Sequence, residues 1–363
     1  MTDIIEVNNI KKTQEVLPIL AGKKPFFLCV IANTETAKTP GISAAGANPE
    51  ITDYTPAADM EYLYFEKCKS IEGVPITPDG IPTPALITRA ALELTSIPMV
   101  PAIGGLNIYP QTPYIEFGGK PGSDISLGNA VKNVQEVFQL AQRFGTEIAK
   151  IFDYIVLGES VAGGTTTALG VLTAMGIKAD NKISSSLPIN PVDLKKQIVG
   201  KGLKACRSKP GDFKNDPLKA IEQLGDPMQP VLSGIAIGAA KHIPVMLAGG
   251  TQMAAICGII HALNPNVMNN IMIGTTKWII NDKSSDLKGI INQINPEIPI
   301  LAANLDFSQS KYDGLKAYEK GIVKEGVGAG GITIASILAS NGDISIEKIH
   351  QKIESNYSKL INK

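Results

Sequence analysis

Six short apolar runs constrain the fold of this chain more than any other feature; they lie at residues 26–31, 97–103, 154–157, 244–248, 270–273 and 299–303. A strand with one wet face alternates apolar and polar residues. An unbroken apolar run marks a strand covered on both faces, as in a parallel sheet. Helical patterns fill some of the intervals, at residues 129–150, 192–204, 231–241 and 251–263. Strands alternating with helices predict an α/β fold whose sheet is mostly parallel and flanked by helices. Such sheets bind ligands at the carboxyl ends of their strands.

One strand end carries the clearest ligand signal. Residues 154–172 read YIVLGESVAGGTTTALGVL. The apolar run stops at Gly158-Glu159, a turn of small residues follows from Ala162 to Thr167, and a helical pattern starts at Ala168. The first amides of a helix lack intrahelical partners, and the dipole adds partial positive charge there. Phosphate is the usual guest of such a site. Gly163, Gly164, Thr165 and Thr166 are the candidate contacts. Gly158, Gly163, Gly164 and Thr165 fit the nucleotide-binding pattern G-x-x-x-x-G-K-[ST] except at its lysine, where Gly164 stands. Without that charge a single phosphate suits the site better than a triphosphate. The same residues also suit a tight packing turn with no ligand.

The composition excludes several classes of partner. Lys+Arg and Asp+Glu balance at 34 each, so neither nucleic acid nor an anionic membrane is an expected partner. The four cysteines are far apart and the three histidines are scattered, which supports neither a disulfide framework nor a metal site. Cys29 and Cys257 lie in apolar runs and read as core thiols. No apolar run reaches the ~18 residues of a membrane span, and residues 1–6 do not open a signal peptide. A cytoplasmic location is the default expectation.

Other segments carry chemistry of their own. Glu325 opens E-G-V-G-A-G-G, and a helical pattern follows from Ile332. A carboxylate beside a glycine turn is a candidate general base, provided that desolvation raises its pKa. An exposed glutamate at a helix end fits the pattern too, and on sequence alone fits it slightly better. Gly326, Gly328 and Gly331 spell G-x-G-x-x-G, but polar residues precede them where a dinucleotide site needs a buried strand. Gly249, Gly250 and Thr251 form a second strand-to-helix glycine turn, open to the phosphate and packing interpretations alike. Lys195 and Lys196 either reach a phosphate or lie on a solvated helix face. Residues 33–101 read as long ordered loops with a helix at 59–70, residues 201–217 as an exposed connection, and residues 341–363 as a terminal helix.

Four ordered segments together carry a family likeness: GESVAGGTTTA at 158–168, GDPMQPVLSGIAIGAAKHIPVMLAGG at 225–250, IVKEGVGAGG at 322–331 and FFLCVIANTETAKTPGIS at 26–43. With these the chain resembles the nicotinate-nucleotide–dimethylbenzimidazole phosphoribosyltransferases, and their archaeal-type relatives more closely. The resemblance implies a Rossmann-like sheet over residues 25–305 and a smaller helical domain from 1–24 and 306–363, usually in a homodimer. It implies transfer of phosphoribose from nicotinate mononucleotide to a benzimidazole-type base, yielding an α-ribazole phosphate and nicotinate, a step in assembly of the lower ligand of cobamides. No cofactor is implied, because the leaving group is already cationic and needs no metal clamp. Glu325 would take the proton from the base nitrogen. Gly163, Gly164, Thr165 and Thr166 would hold phosphate or ribose, and Glu159 would serve the ribose–nicotinate site. Gly249, Gly250 and Thr251, with Gly326 and Gly328, would form the remaining wall, and Lys195 or Lys196 would contact phosphate. The chain departs from the bacterial pattern after the first strand, where Ala32-Asn33-Thr34-Glu35-Thr36 replaces Gly-Asp-His-Gly. The bacterial base-binding loop has no clear counterpart in residues 41–55, which leaves the acceptor open. A non-catalytic nucleotide- or phosphate-binding protein on the same fold is the alternative.

Overall fold

The computed structural model describes residues 3–45, 48–73, 75–77 and 80–362. The six apolar runs are strands of one sheet: β2 (Pro25–Ala32), β3 (Met99–Gly105), β5 (Tyr154–Ser160), β6 (Val245–Ala248), β7 (Ile271–Thr276) and β8 (Ile300–Ala303). Two edge strands complete it, β1 (Ile4–Asn8) and β4 (Ile115–Glu116). The order is β1-β8-β7-β6-β5-β2-β3-β4. Within this sheet only the β1–β8 pair is antiparallel.

The unbroken apolar runs follow from two packed faces. Phe26, Leu28 and Val30 of β2 point into one apolar layer with Ile155 and Leu157 of β5. Phe27, Cys29 and Ile31 point into the other, with Tyr154 and Val156. Helices Val134–Ile148, Gly164–Ala174, Met228–Ala240 and Thr251–Leu263 cover the first face. Ala85–Glu93, Ala329–Ala339 and Ile346–Ile361 cover the second. Cys29 and Cys257 are buried, as their apolar surroundings predict.

Three expectations need amending. Residues 1–24 supply more than a helix (Ile10–Leu20), because β1 extends the main sheet. Its side chains are half-buried, so the segment lacks the apolar continuity that marks the inner strands. The glycines at the end of β5 lie differently too. The strand runs through Gly158 and Glu159 to Ser160, and the helix begins at Gly164 rather than Ala168. Finally, residues 33–101 hold two helices, Thr55–Phe65 and Ala85–Glu93. The first starts before the expected 59–70, and the second was hidden among the prolines.

Strand order reverses between β5 and β2: the chain steps to β3 on one side and to β6, β7 and β8 on the other. At such a switch point the loops leaving neighbouring strands diverge and open a crevice at their carboxyl ends.

Candidate active site

That crevice is a cavity of about 550 Å³, within the ordinary size of a small-molecule site. The end of β5, the turns after β5 and β6, Ser184 to Ser186, and Val323 to Val327 line it, together with described residues between 42 and 84, some of them on the helix Thr55–Phe65. Among the described residues the structure brings Glu159, Gly163, Gly164, Thr165, Gly250, Thr251, Glu325 and Gly326 to this one cavity.

Glu325 reaches the cavity because the helix behind it presses close to the sheet. A Cβ on Gly330 would lie 2.0 Å from the Thr275 carbonyl carbon, and one on Gly331 would lie 2.3 Å from the Ala248 Cβ. Only glycine permits that approach at the ends of β6 and β7. The Glu325 carboxylate accepts amide hydrogen bonds from Gly326 at 3.2 Å and Gly330 at 3.1 Å, and one from the Thr275 hydroxyl at 3.4 Å. Burial raises its pKa to about 7 against the opposing pull of those donors. It is not an exposed helix-end glutamate. Gly328 lies outside the lining: its φ of +71° starts the helix, and a Cβ there would meet the Phe27 ring at 3.0 Å.

A second carboxylate stands nearby. Glu159, the last residue but one of β5, is almost fully buried. It accepts from the Val161 amide at 3.0 Å. The Gln252 amide nitrogen, turned toward it, lies 2.7 and 2.9 Å from its two oxygens. Burial, reinforced by the charge of Asp226, raises its pKa to about 8. Asp226 is fully buried below, accepting from the Thr167 hydroxyl at 2.5 Å and the Met228 amide at 3.0 Å. Burial lifts it to about 6.

The first glycine turn opens onto the cavity. Gly163 takes φ +76° as the N-cap, packed against the Ala37 backbone, and the helix presents Gly163, Gly164 and Thr165 to the cavity. Thr166 is buried behind them, its hydroxyl without a partner among the described residues. At the second turn Gly250 and Thr251 line the cavity and Gly249 does not. The Thr251 hydroxyl lies 2.9 Å from that of Ser184 and accepts from the Ser184 amide at 3.1 Å.

The adjacent lysines part company. Lys195 is 1 % exposed. Its ammonium donates to the Ser184 carbonyl at 2.6 Å and to the Asn190 side chain at 3.2 Å. It thus braces the cavity wall from behind. Burial, with Lys324 nearby, lowers its pKa to about 7. Lys196 is not brought to the cavity; it faces Asp193 at 4.0 Å on a partly exposed helix face. The helical period separates them, since residues i and i+1 point about 100° apart.

Sequence reasoning missed Gln252, Asp226, Asp59, Ser160, Thr83 and Lys324. Gln252 directly follows a singled-out turn, and Asp226 sits in the short link before a buried helix, so both had a local signal. Asp59 and Thr83 come from the proline-rich stretch and had none. Lys324 lines the cavity beside Glu325, its ammonium 3.6 Å from Asp282.

Among solved structures, the fold is similar to CobT from Thermus thermophilus, with a TM-score of 0.58 and 15 % identity over 90 % of this chain and 89 % of that one. It is likewise similar to a structure of a nicotinate-nucleotide–dimethylbenzimidazole phosphoribosyltransferase from Thermus thermophilus, with a TM-score of 0.56 and 15 % identity, covering 88 % and 83 % of the two chains. At that identity the likeness establishes the fold. No protein-family model matches the chain. Curated relatives align over nearly its whole length. The UPF0284 protein of Sulfurisphaera tokodaii is 47 % identical over 340 residues, 93 % of this chain and 94 % of the relative. That of Thermococcus onnurineus is 44 % identical over 339 residues, 93 % and 98 % of the two. The Archaeoglobus fulgidus protein is 42 % identical over 354 residues, 97 % and 98 %. Relatives at this identity and coverage show that the chain, cavity included, belongs to the UPF0284 family.

Proposed function

We propose that this cavity transfers phosphoribose from nicotinate mononucleotide to a benzimidazole-type aromatic base, releasing nicotinate and forming an α-ribazole phosphate. The observation that carries this is Glu325: a carboxylate on the cavity wall, fixed by two amides, with a pKa of about 7. A group poised there is about half ionised at neutral pH, the condition for an efficient general base. The fold shared with CobT supports the same assignment.

In the transfer, one ring nitrogen of the base forms a bond to C1′ as the bond from C1′ to the pyridinium nitrogen breaks. The electron pair of the broken bond neutralises the pyridinium, so nicotinate leaves without an acid. The N–H proton of the base passes to Glu325. Carboxylate charge also stabilises the cationic C1′ centre as it develops. The helix N-terminus at Gly163, Gly164 and Thr165 receives the phosphate. Glu159, largely protonated at neutral pH, offers a donor to the ribose.

The test is turnover. Purified protein is incubated with nicotinate mononucleotide and a panel of benzimidazoles and purines, without added metal, and the products are separated and weighed by mass spectrometry. Nicotinate with a new riboside phosphate is expected. Saturable mononucleotide binding without product from any base would instead assign the fold a binding role.

A further inference from the structure

We propose that the base accepted here is a fused-ring aromatic carrying a hydrogen-bond donor, such as a hydroxyl or amino group, on the rim that meets Asp59, an assignment that rests on the transfer proposed above and names the class of its acceptor. Asp59 is 4 % exposed and lines the cavity. One of its oxygens accepts from the Thr83 hydroxyl at 2.8 Å, the other from the Ser160 hydroxyl at 2.7 Å. Both hydroxyl protons are thereby committed to Asp59. Thr83 and Ser160 also line the cavity, so the trio shows a ligand oxygen lone pairs and no proton. A carboxylate offers about four acceptor positions, and two remain. Burial raises Asp59 to about 6, which still leaves it mainly ionised above neutrality.

The same cavity is lined by Ile51, Ile71, Ile76, Ile81, Pro82 and Val327, with a few polar groups such as Thr55 and Cys68 among them. A flat aromatic ring suits such a lining. The trio also borders the chemistry. Ser160 directly follows Glu159. Pro84 follows Thr83, and its ring lies 3.3 Å from where a Cβ on Gly326 would stand, one residue beyond Glu325. Glu325 and Asp59 line the same cavity, and in this proposal a base with its ring N–H on Glu325 turns another part of its rim to Asp59. A methyl group at that rim would strip water from a carboxylate and return no hydrogen bond. A hydroxyl or amino group makes a charge-assisted one.

Three bases of similar size separate these cases: 5-hydroxybenzimidazole, 5-methoxybenzimidazole, which keeps the oxygen and loses the donor, and 5,6-dimethylbenzimidazole. The full chain is assayed for kcat/KM with each base at saturating nicotinate mononucleotide. Binding of each base alone is measured by calorimetry. The hydroxy base is expected to exceed the methoxy base at least tenfold in kcat/KM, since sites built around a donor discriminate strongly against its loss. That ratio should collapse toward unity in Asp59→Asn, and in Asp59→Ser should the first variant fail to fold. General structural damage would lower both rates and leave their ratio. Equal kcat/KM for the two bases in the wild type, or a ratio that survives in a folded Asp59 variant, overturns the acceptor assignment alone. Preferential binding of the hydroxy base with no turnover supports the subsite while overturning the transfer. Absence of both binding and turnover with all three bases overturns both.

Discussion

The two walls of the cavity are built by different means. One wall comes from glycine-marked turns that leave β5 and β6 or lead into the helix Ala329–Ala339. It carries Glu159, Gly163, Gly164, Thr165 and Glu325. The other comes from described residues between 42 and 84, among them the helix Thr55–Phe65, and carries Asp59 and Thr83. On the first wall backbone geometry dictates residue type: a positive φ at Gly163 and the close approach of Gly330 to the Thr275 carbonyl exclude any side chain. On the second, side chains reach the cavity from a helix and the loops packed beside it, an arrangement that many sequences satisfy. Under the proposed transfer, the common chemistry belongs on the first kind of wall and choice of acceptor on the second, because segments laid over a sheet change without disturbing it.

The largest expected effect tests the first wall. Glu325→Gln keeps the shape and the amide contacts but cannot take a proton. Turnover should fall by about 10²- to 10⁴-fold, the usual worth of general acid–base catalysis, with mononucleotide affinity nearly unchanged. Near-normal kcat in a steady-state assay of this variant would remove Glu325 from the chemistry. The same contrast explains what the sequence made legible. The six inner strands were visible because both faces are buried, and the turns because glycine is compulsory there. Asp59 and Thr83 stayed hidden because they meet only after residues 24 apart are folded together, and nothing in the local pattern of a proline-rich stretch encodes that meeting. The two edge strands escaped for a related reason: β1 is half-buried and β4 is two residues long.

A smaller effect, about tenfold, should appear in the pH profile. The proposed transfer needs Glu325 ionised and Glu159 protonated, with pKa values raised by burial to about 7 and about 8. The pair interacts, so the kcat/KM profile should be a bell whose two limbs belong to the pair as a whole. Glu159→Gln should remove the alkaline limb and keep the acid one. An alkaline limb persisting in that variant would show that another group supplies it.

Stability should respond to the same carboxylates. Their folded pKa values are raised, so between about 4.5 and 8 the native state holds more protons than the unfolded chain. Stability from these groups is then fully present below pH 4.5 and is lost as pH rises through 7 to 8. Each pKa unit is worth about 1.4 kcal/mol, so the loss is of the order of a few kcal/mol. Denaturant titrations at pH 5.5 and 8.5 should show the difference, and Glu159→Gln should reduce it. An unchanged slope would mean that the Glu159 pKa is not raised.

The smallest effects separate Lys195 from Lys196, neighbours that the sequence left equivalent. Lys196 is about one-third exposed and 4.0 Å from Asp193; such a pair contributes ~0–1 kcal/mol. Lys196→Ala should leave stability and mononucleotide KM within about twofold of wild type. Lys195 holds the Ser184 carbonyl at 2.6 Å, and Ser184 in turn contacts Thr251 on the cavity wall. Lys195→Met should therefore raise KM several-fold with little change in kcat, since the wall shifts while Glu325 stays in place. Its pKa is lowered to about 7, so the unfolded chain holds the extra proton between about 7 and 10.5, and stability from this group rises with pH across that window. The methionine variant should lose that rise. Equal KM changes in the two variants would show that burial at this wall does not govern how the donor is held.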